Sequence, residues 1–212
     1  MKRILFLLFF CGIIAPGFAQ SSPDDSFVLF LHGGYGHLTG KAPGLTNASD
    51  TYDKTMSSGV SWNAQMYYKH KKLIAGLLYS SYLSNGKREE CSDHILTTYI
   101  APQVGLNIPV GKQFDIALNG GTGTICYLNN SFVYGKVRKV TGLNIGYDLG
   151  LKGICNLSDR FGISLEMLFI GTDDFNKVKV KYHHEVFDVK YRSDDSRNLN
   201  QFTISLGLKY SL

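Results

Sequence analysis

The chain has 212 residues and a formal charge of +5, and its 44% hydrophobic residues are dispersed among 23 glycines, 13 tyrosines and 13 phenylalanines. The charge is too small to imply a nucleic-acid partner, and the length suits one domain. Glycine interleaved with aromatic residues favours β-structure over a helical bundle.

The first element in chain order is a leader. Lys2 and Arg3 precede a short apolar stretch from Ile4 to Ile14, and Gly17-Phe18-Ala19 puts small residues where a signal peptidase reads them. Residues 1–19 are therefore expected to be a cleaved signal peptide, because the apolar run falls short of the roughly 20 residues a membrane-spanning helix needs. Phe10 before Cys11 is too large for a lipoprotein site. The mature chain, 20–212, is expected to form a single domain.

Eight segments with period-two alternation follow. The first carries Phe27, Leu29, Leu31, Gly33 and Tyr35 on one face, and the second Val60, Trp62, Ala64, Met66 and Tyr68. Leu73, Ala75, Leu77 and Tyr79 form the third, and Ile100, Pro102, Val104, Leu106 and Ile108 the fourth. Pro102 lacks a ladder donor, so a bulge or a weakened strand is expected there. Phe114, Ile116 and Leu118 begin the fifth; Leu143, Ile145, Tyr147, Leu149 and Leu151 mark the sixth; Phe161, Ile163, Leu165, Met167 and Phe169 mark the seventh. The eighth runs from Phe202 to Leu212 with Phe202, Ile204, Leu206, Leu208 and Tyr210 on one side.

Side chains on a strand alternate between two faces, so each segment has one greasy side and one polar or glycine-rich side. Hydropathy alone leaves two arrangements open, apolar face inward in a soluble barrel or outward in a membrane. The connections favour the membrane. They are short near His70-Lys71, Val110-Gly111-Lys112 and Asn156–Asp159, and long near 39–55, 85–94, 129–139 and 172–198. Short periplasmic turns alternating with long outer loops are the asymmetry of outer-membrane barrels. In that arrangement Phe27, Tyr68, Phe114, Phe161 and Tyr210 approach one rim of the outer face, and Tyr35, Tyr79 and Phe169 the other. Such rings are expected at the edges of a hydrocarbon slab.

The pattern resembles the OmpX/OmpA-type family of eight-stranded outer-membrane β-barrels. The resemblance covers nearly all the mature chain. It implies an all-β, closed, antiparallel up-and-down transmembrane barrel in the bacterial outer membrane. It also implies a closing strand read by the barrel-assembly machinery, although Leu212 stands where such strands often end in Phe. A non-enzymatic protein is implied, its loops serving surface interaction or envelope integrity, with outer-membrane lipid and lipopolysaccharide around it and a protein partner at the loops. The alternatives are an envelope-assembly or secretion-system accessory barrel and a lipid-modifying barrel enzyme.

Residues with chemistry are sparse. Asp148, Lys152, Glu166, Asp115 and Lys209 all fall on the inner face, with Asp148 expected near Glu166 and Lys152 lower. An eight-stranded barrel is only wide enough for side chains to fill. These charges are therefore expected to pair with one another, and two nearby carboxylates sharing a proton are the other reading. The segment from Asn176 to Arg192 alternates with lysines and is expected to be a hairpin turning near His183-His184-Glu185. Neighbouring histidines on a strand point apart, which disfavours a metal site. His37 is a candidate base without an evident serine partner. Cys91, Cys126 and Cys155 lack CxxC spacing and hence zinc character. Cys91–Cys126 is the pair the topology allows, against free thiols. No cofactor is expected.

Overall fold

A computed structural model of the chain describes residues 25–45, 56–88, 90–183, 185–191 and 197–212. The leader and part of the first long loop lie outside these residues, as does His184 of the hairpin turn. Ten strands are present: β1 Asp25–Leu38, β2 Ser58–His70, β3 Leu73–Arg88, β4 Cys91–Pro109, β5 Phe114–Val133, β6 Lys136–Asn156, β7 Phe161–Thr172, β8 Lys177–Tyr182, β9 Glu185–Lys190 and β10 Gln201–Ser211.

Eight of them close a ring. Neighbours β1 to β7 pair antiparallel in sequence order, β10 pairs with β7, and β10 also pairs with β1 over Val28↔Ser211 to Leu38↔Gln201. The final alternating segment is thus the seam, which removes both sheet edges. The short β8–β9 hairpin is an addition. It mounts on the loop end of β6, with Arg138–Thr141 pairing against Tyr182–Lys179.

Alternation decides which face looks out. Leu143, Ile145, Leu149 and Leu151 are all exposed, at 69%, 70%, 58% and 40%. On the opposite face of the same strand Asp148 and Lys152 are buried. On the ring strands the exposed apolar residues lie on the outer face, while buried polar side chains such as Asn63, Gln65, Asn119, Asp148, Lys152 and Glu166 point inward, which argues against the soluble-barrel arrangement. Among the described residues no helix is long and apolar enough to cross a membrane; the crossing is made by strands.

Several details differ from what the alternation alone suggested. Segments 85–94 and 129–139, expected as loops, are mostly strand, because β3 to β6 run far past the apolar band. Tyr134 and Gly135 close the β5–β6 hairpin with φ of 45° and 80°, the left-handed pair that a two-residue hairpin requires. Pro102 causes no bulge. The β4–β5 ladder skips Ala101 and Pro102 yet resumes in the same register, Ile100↔Thr124 before and Gln103↔Gly121 after. A missing donor costs hydrogen bonds there without shifting the strand.

Candidate functional site

The turn-end half of the interior is a connected polar network. Lys152 lies opposite Glu166 across the β6–β7 ladder, and Lys152 Nζ sits 3.2 Å from Glu166 Oε1 with both side chains fully buried. Asp148 lies opposite Ile170 instead. This corrects the expected order, in which Asp148 was to approach Glu166. Leu157–Arg160 forms the connection between β6 and β7, so the turn is centred further along the chain than Asn156–Asp159 suggested.

Each charge is then satisfied in turn. Glu166 accepts from Asn63 Nδ2 at 2.9 Å and from Gln65 Nε2 at 2.7 Å. Lys152 donates to Asn119 Oδ1 at 2.8 Å and to the Tyr67 hydroxyl at 3.2 Å. Its ammonium also lies 5.3 Å and 4.9 Å from the Phe30 and Tyr67 ring centroids, close enough for cation–π attraction. Asn119 Nδ2 donates to Gln103 Oε1 at 2.5 Å, Gln103 donates to both Asp148 oxygens at 2.8 and 2.7 Å, and Tyr99 OH reaches Asp148 Oδ2 at 2.8 Å. A chain of this kind leaves no ion uncompensated, which is what makes buried charge tolerable.

The network needs backbone space. A Cβ on Gly207 would stand 2.2 Å from the His32 ring, and one on Gly150 within 3.0 Å of the Asn119 amide. Gly207 and Gly150 are therefore the sockets of polar side chains on neighbouring strands.

Asp115 and Lys209 stand apart from this network, at the turn end. Asn156 bridges them, its amide donating to Asp115 Oδ2 at 3.1 Å and its oxygen accepting from Lys209 Nζ at 2.6 Å. They border a vestibule of about 420 Å³ whose walls include Val28, Phe30, Ile74 and Ile154 and whose inner end reaches Lys152 and Tyr67.

The loop-end half is apolar instead. Inward residues Leu78, Ile95, Tyr99, Ile125, Tyr127, Val140, Leu168 and Ile170 pack with Ala42, Met56, Phe175 and Leu199 from the connecting segments. Strand side chains hold that plug: Tyr127 OH donates to Pro43 O at 2.8 Å, and Ser84 Oγ donates to Met56 O at 2.8 Å. Above it, buried Asp93 accepts from Asn129 Nδ2 at 2.6 Å and Ser131 Oγ at 2.7 Å, with the Arg138 guanidinium 3.9 Å away. Arg138 also donates to the Gly44 carbonyl.

Serine, histidine and carboxylate do meet in this barrel, though not at His37. His32 Nε2 and Ser164 Oγ are 2.8 Å apart, and His32 Nδ1 lies 3.5 Å from Glu166 Oε2 but only 2.9 Å from Asn63 Oδ1. The three residue types match a nucleophile, a base and its orienter. The setting does not, since His32, Ser164 and Glu166 are 4%, 2% and 0% exposed. Ser164 is enclosed here, its hydroxyl against His32 within the polar network. His37 itself faces outward opposite Ser58, whose hydroxyl is bonded to Tyr35 OH at 2.8 Å.

The aromatic residues gather in pairs. Phe27 packs on Tyr68 at 5.2 Å and Phe161 on Tyr210 at 5.0 Å near the short turns, with exposed Phe114 on the same outward side. Towards the loop end Tyr79 meets Trp62 at 5.0 Å and Phe169 meets Tyr147 at 6.2 Å, while Tyr35 is exposed.

Cys91 and Cys126 cannot bridge. Thr98 faces Cys126, and Cys91 lies seven residues further along β4, opposite Val133. At about 3.4 Å per residue that is well over 20 Å, against the 4.4–6.8 Å that a disulfide spans. Cys91, Cys126 and Cys155 are free thiols. No cluster of metal-ligating residues occurs among the described residues.

No family model and no curated protein matches this sequence. Solved structures do. The chain is similar to a major outer membrane protein of Thermus thermophilus, with a TM-score of 0.66 and 10% identity over 89% of this chain and 99% of that one. It is similar to Neisserial surface protein A, with a TM-score of 0.59 and 10% identity over 88% and 97%. It is also similar to OprG of Pseudomonas aeruginosa, with a TM-score of 0.52 and 11% identity over 89% and 97%. At such identities the likeness is one of fold. With the outward apolar band, it makes this chain a β-barrel of the bacterial outer membrane.

Proposed function

We propose that the protein is a non-enzymatic outer-membrane barrel whose work is done at its extracellular end. The observation that carries this reading is the contrast between the two parts of the molecule. The interior is filled by a satisfied polar network and a loop-borne apolar plug, whereas β3 to β6 and the β8–β9 hairpin extend well beyond the apolar band. A filled eight-stranded barrel offers no aqueous channel. Its buried histidine and carboxylates offer no approach to a substrate. At the loop end the accessible surface is a projecting sheet, the usual place for recognition on a rigid scaffold.

Surface interaction is the favoured role, with envelope integrity the second expression of the same surface. An assembly or secretion accessory would be marked by a protein partner that co-purifies in stoichiometric amount. The test replaces residues 177–190 with a short turn and compares cells carrying the two forms. The expected result is unchanged outer-membrane fractionation and heat-modifiable migration, with loss of adhesion or autoaggregation. Undiminished adhesion, or turnover of lipid A by the purified barrel, would overturn the proposal.

A further inference from the structure

Inside the turn end of the barrel, apolar and charged groups follow an order that the polar network does not explain. The vestibule there has a volume of about 420 Å³, the size of a small-molecule pocket. Its wall is a collar of Val28, Phe30, Tyr67, Ile74, Ala117 and Ile154, one cluster of buried side chains. Side chains otherwise fill the inside of a barrel this small. From Asn156 at the end of β6 inward to Lys152 is four residues, a depth of roughly 10 Å on a tilted strand.

The inner end is closed. The Lys152 ammonium is committed to Glu166 at 3.2 Å, Asn119 at 2.8 Å and the Tyr67 hydroxyl at 3.2 Å. The Phe30 and Tyr67 rings lie against it. A guest reaching this level meets rings and hydrocarbon, with no donor to spare.

The mouth is the reverse. Asn107, two residues before the end of β4, lines the vestibule and is 6% exposed, yet its side-chain amide has no hydrogen-bond partner among the described residues. A buried amide left open costs free energy until something bonds it. The mouth also carries Lys69, Arg160 and Lys209 against Asp115 and Asp159. Asn156 already ties Lys209 to Asp115. The Lys69 and Arg160 side chains form no ion pair among the described residues.

We propose that the vestibule binds a medium-chain fatty carboxylate entering from the periplasm, its chain in the collar and its carboxylate held by the Asn107 amide, Lys69 and Arg160. An anion at the mouth satisfies the open amide and two uncommitted cations at once, through the stronger, charge-assisted kind of hydrogen bond. Each methylene drawn into the collar tightens binding roughly fourfold, until the chain reaches the rings at the closed end. The inference takes from the outer-membrane reading only the compartment onto which the mouth opens. It is independent of the loop-end role, whose hairpin-replacement test can fail without touching it.

The experiment is methyl NMR of the full-length barrel in phosphatidylcholine nanodiscs. The probes are butyrate, hexanoate, octanoate and dodecanoate, with 1-octanol as the uncharged counterpart. Val28, Ile74 and Ile154 report on the collar, and Ile163, exposed on the outward face, reports on partition into the bilayer. The expected result is saturable shifts at the collar methyls, tightening roughly fourfold per methylene up to octanoate and levelling off by dodecanoate. Octanol should bind roughly tenfold more weakly than octanoate. Shifts that never saturate, or that Ile163 matches, mean partition alone and overturn the site. Equal binding of octanol overturns the carboxylate assignment. Lys69→Gln/Arg160→Gln removes two charges that pair with nothing in the fold; it should cost octanoate roughly tenfold and octanol nothing, and full retention overturns the head site. Ala117→Phe fills the collar and should abolish saturable binding while heat-modifiable migration persists. Saturable binding in that folded variant would overturn the collar as the chain's seat.

Discussion

Lys152 and Glu166 form a fully buried ion pair across the β6–β7 ladder, Nζ to Oε1 3.2 Å, near the middle of a membrane-embedded barrel. Removing one partner of such a pair leaves an uncompensated charge. Lys152→Met or Glu166→Gln is therefore expected to cost about 3–5 kcal/mol, with Lys152→Met/Glu166→Gln costing less than the sum. Urea unfolding of the barrel in detergent, followed by heat-modifiable migration, checks this. Additive losses would mean that the pair is not coupled.

The socket formed by Gly207 makes a second test. Alanine there would put a Cβ 2.2 Å from the His32 ring and 2.5 Å from the Leu31 carbonyl. Gly207→Ala should destabilise the barrel by about 1–3 kcal/mol. Part of that loss should return in Gly207→Ala/His32→Ala, measured by the same unfolding assay. A neutral Gly207→Ala would show that the network is looser than these contacts describe.

Leu149 is 58% exposed on the outward face of β6. If that face meets lipid, Leu149→Arg should cost about 2–4 kcal/mol in a bilayer, as cations near the midplane of barrel strands do. The same substitution at Phe132, which is 45% exposed near the β5–β6 turn, should cost much less. Equal penalties would mean that the two positions share one environment.

The thiols give a chemical check. Cys91, Cys126 and Cys155 are free, and Cys91 and Cys126 are too far apart to join. All three should alkylate after unfolding without reductant, and mass should be unchanged by reduction. A two-dalton difference would contradict the β4–β5 register.

Much of this architecture was legible from alternation, and the exceptions have physical causes. The outward faces could be read because lipid demands an unbroken apolar set, as from Leu143 to Leu151. The pairing of Lys152 with Glu166 could not, because register depends on how many residues the turn after Asn156 consumes. A shift of that turn moves every partner while leaving the alternation intact. The strand ends past 85 and 129 were hidden for a related reason. Above the bilayer both faces meet water or polar loops, so Asp93, Asn129 and Ser131 read as loop composition although they are strand residues pointing inward. Ala42, Met56, Phe175 and Leu199 were silent because each is an isolated apolar residue whose partners lie far away in sequence. The His32, Ser164 and Glu166 grouping was invisible likewise, since β1 and β7 meet only through β10.

The most direct test of the account is the direction in which β6 faces. Single cysteines placed at 143, 145, 147, 149 and 151, and at 144, 146 and 150, in a cysteine-free background, would carry a fluorophore in reconstituted bilayers. The account predicts strong quenching by a lipid-borne quencher at every odd position and protection at every even one. Protection of the odd positions, with the even ones open to lipid or water, would contradict an outer-membrane barrel and the functional reading built on it.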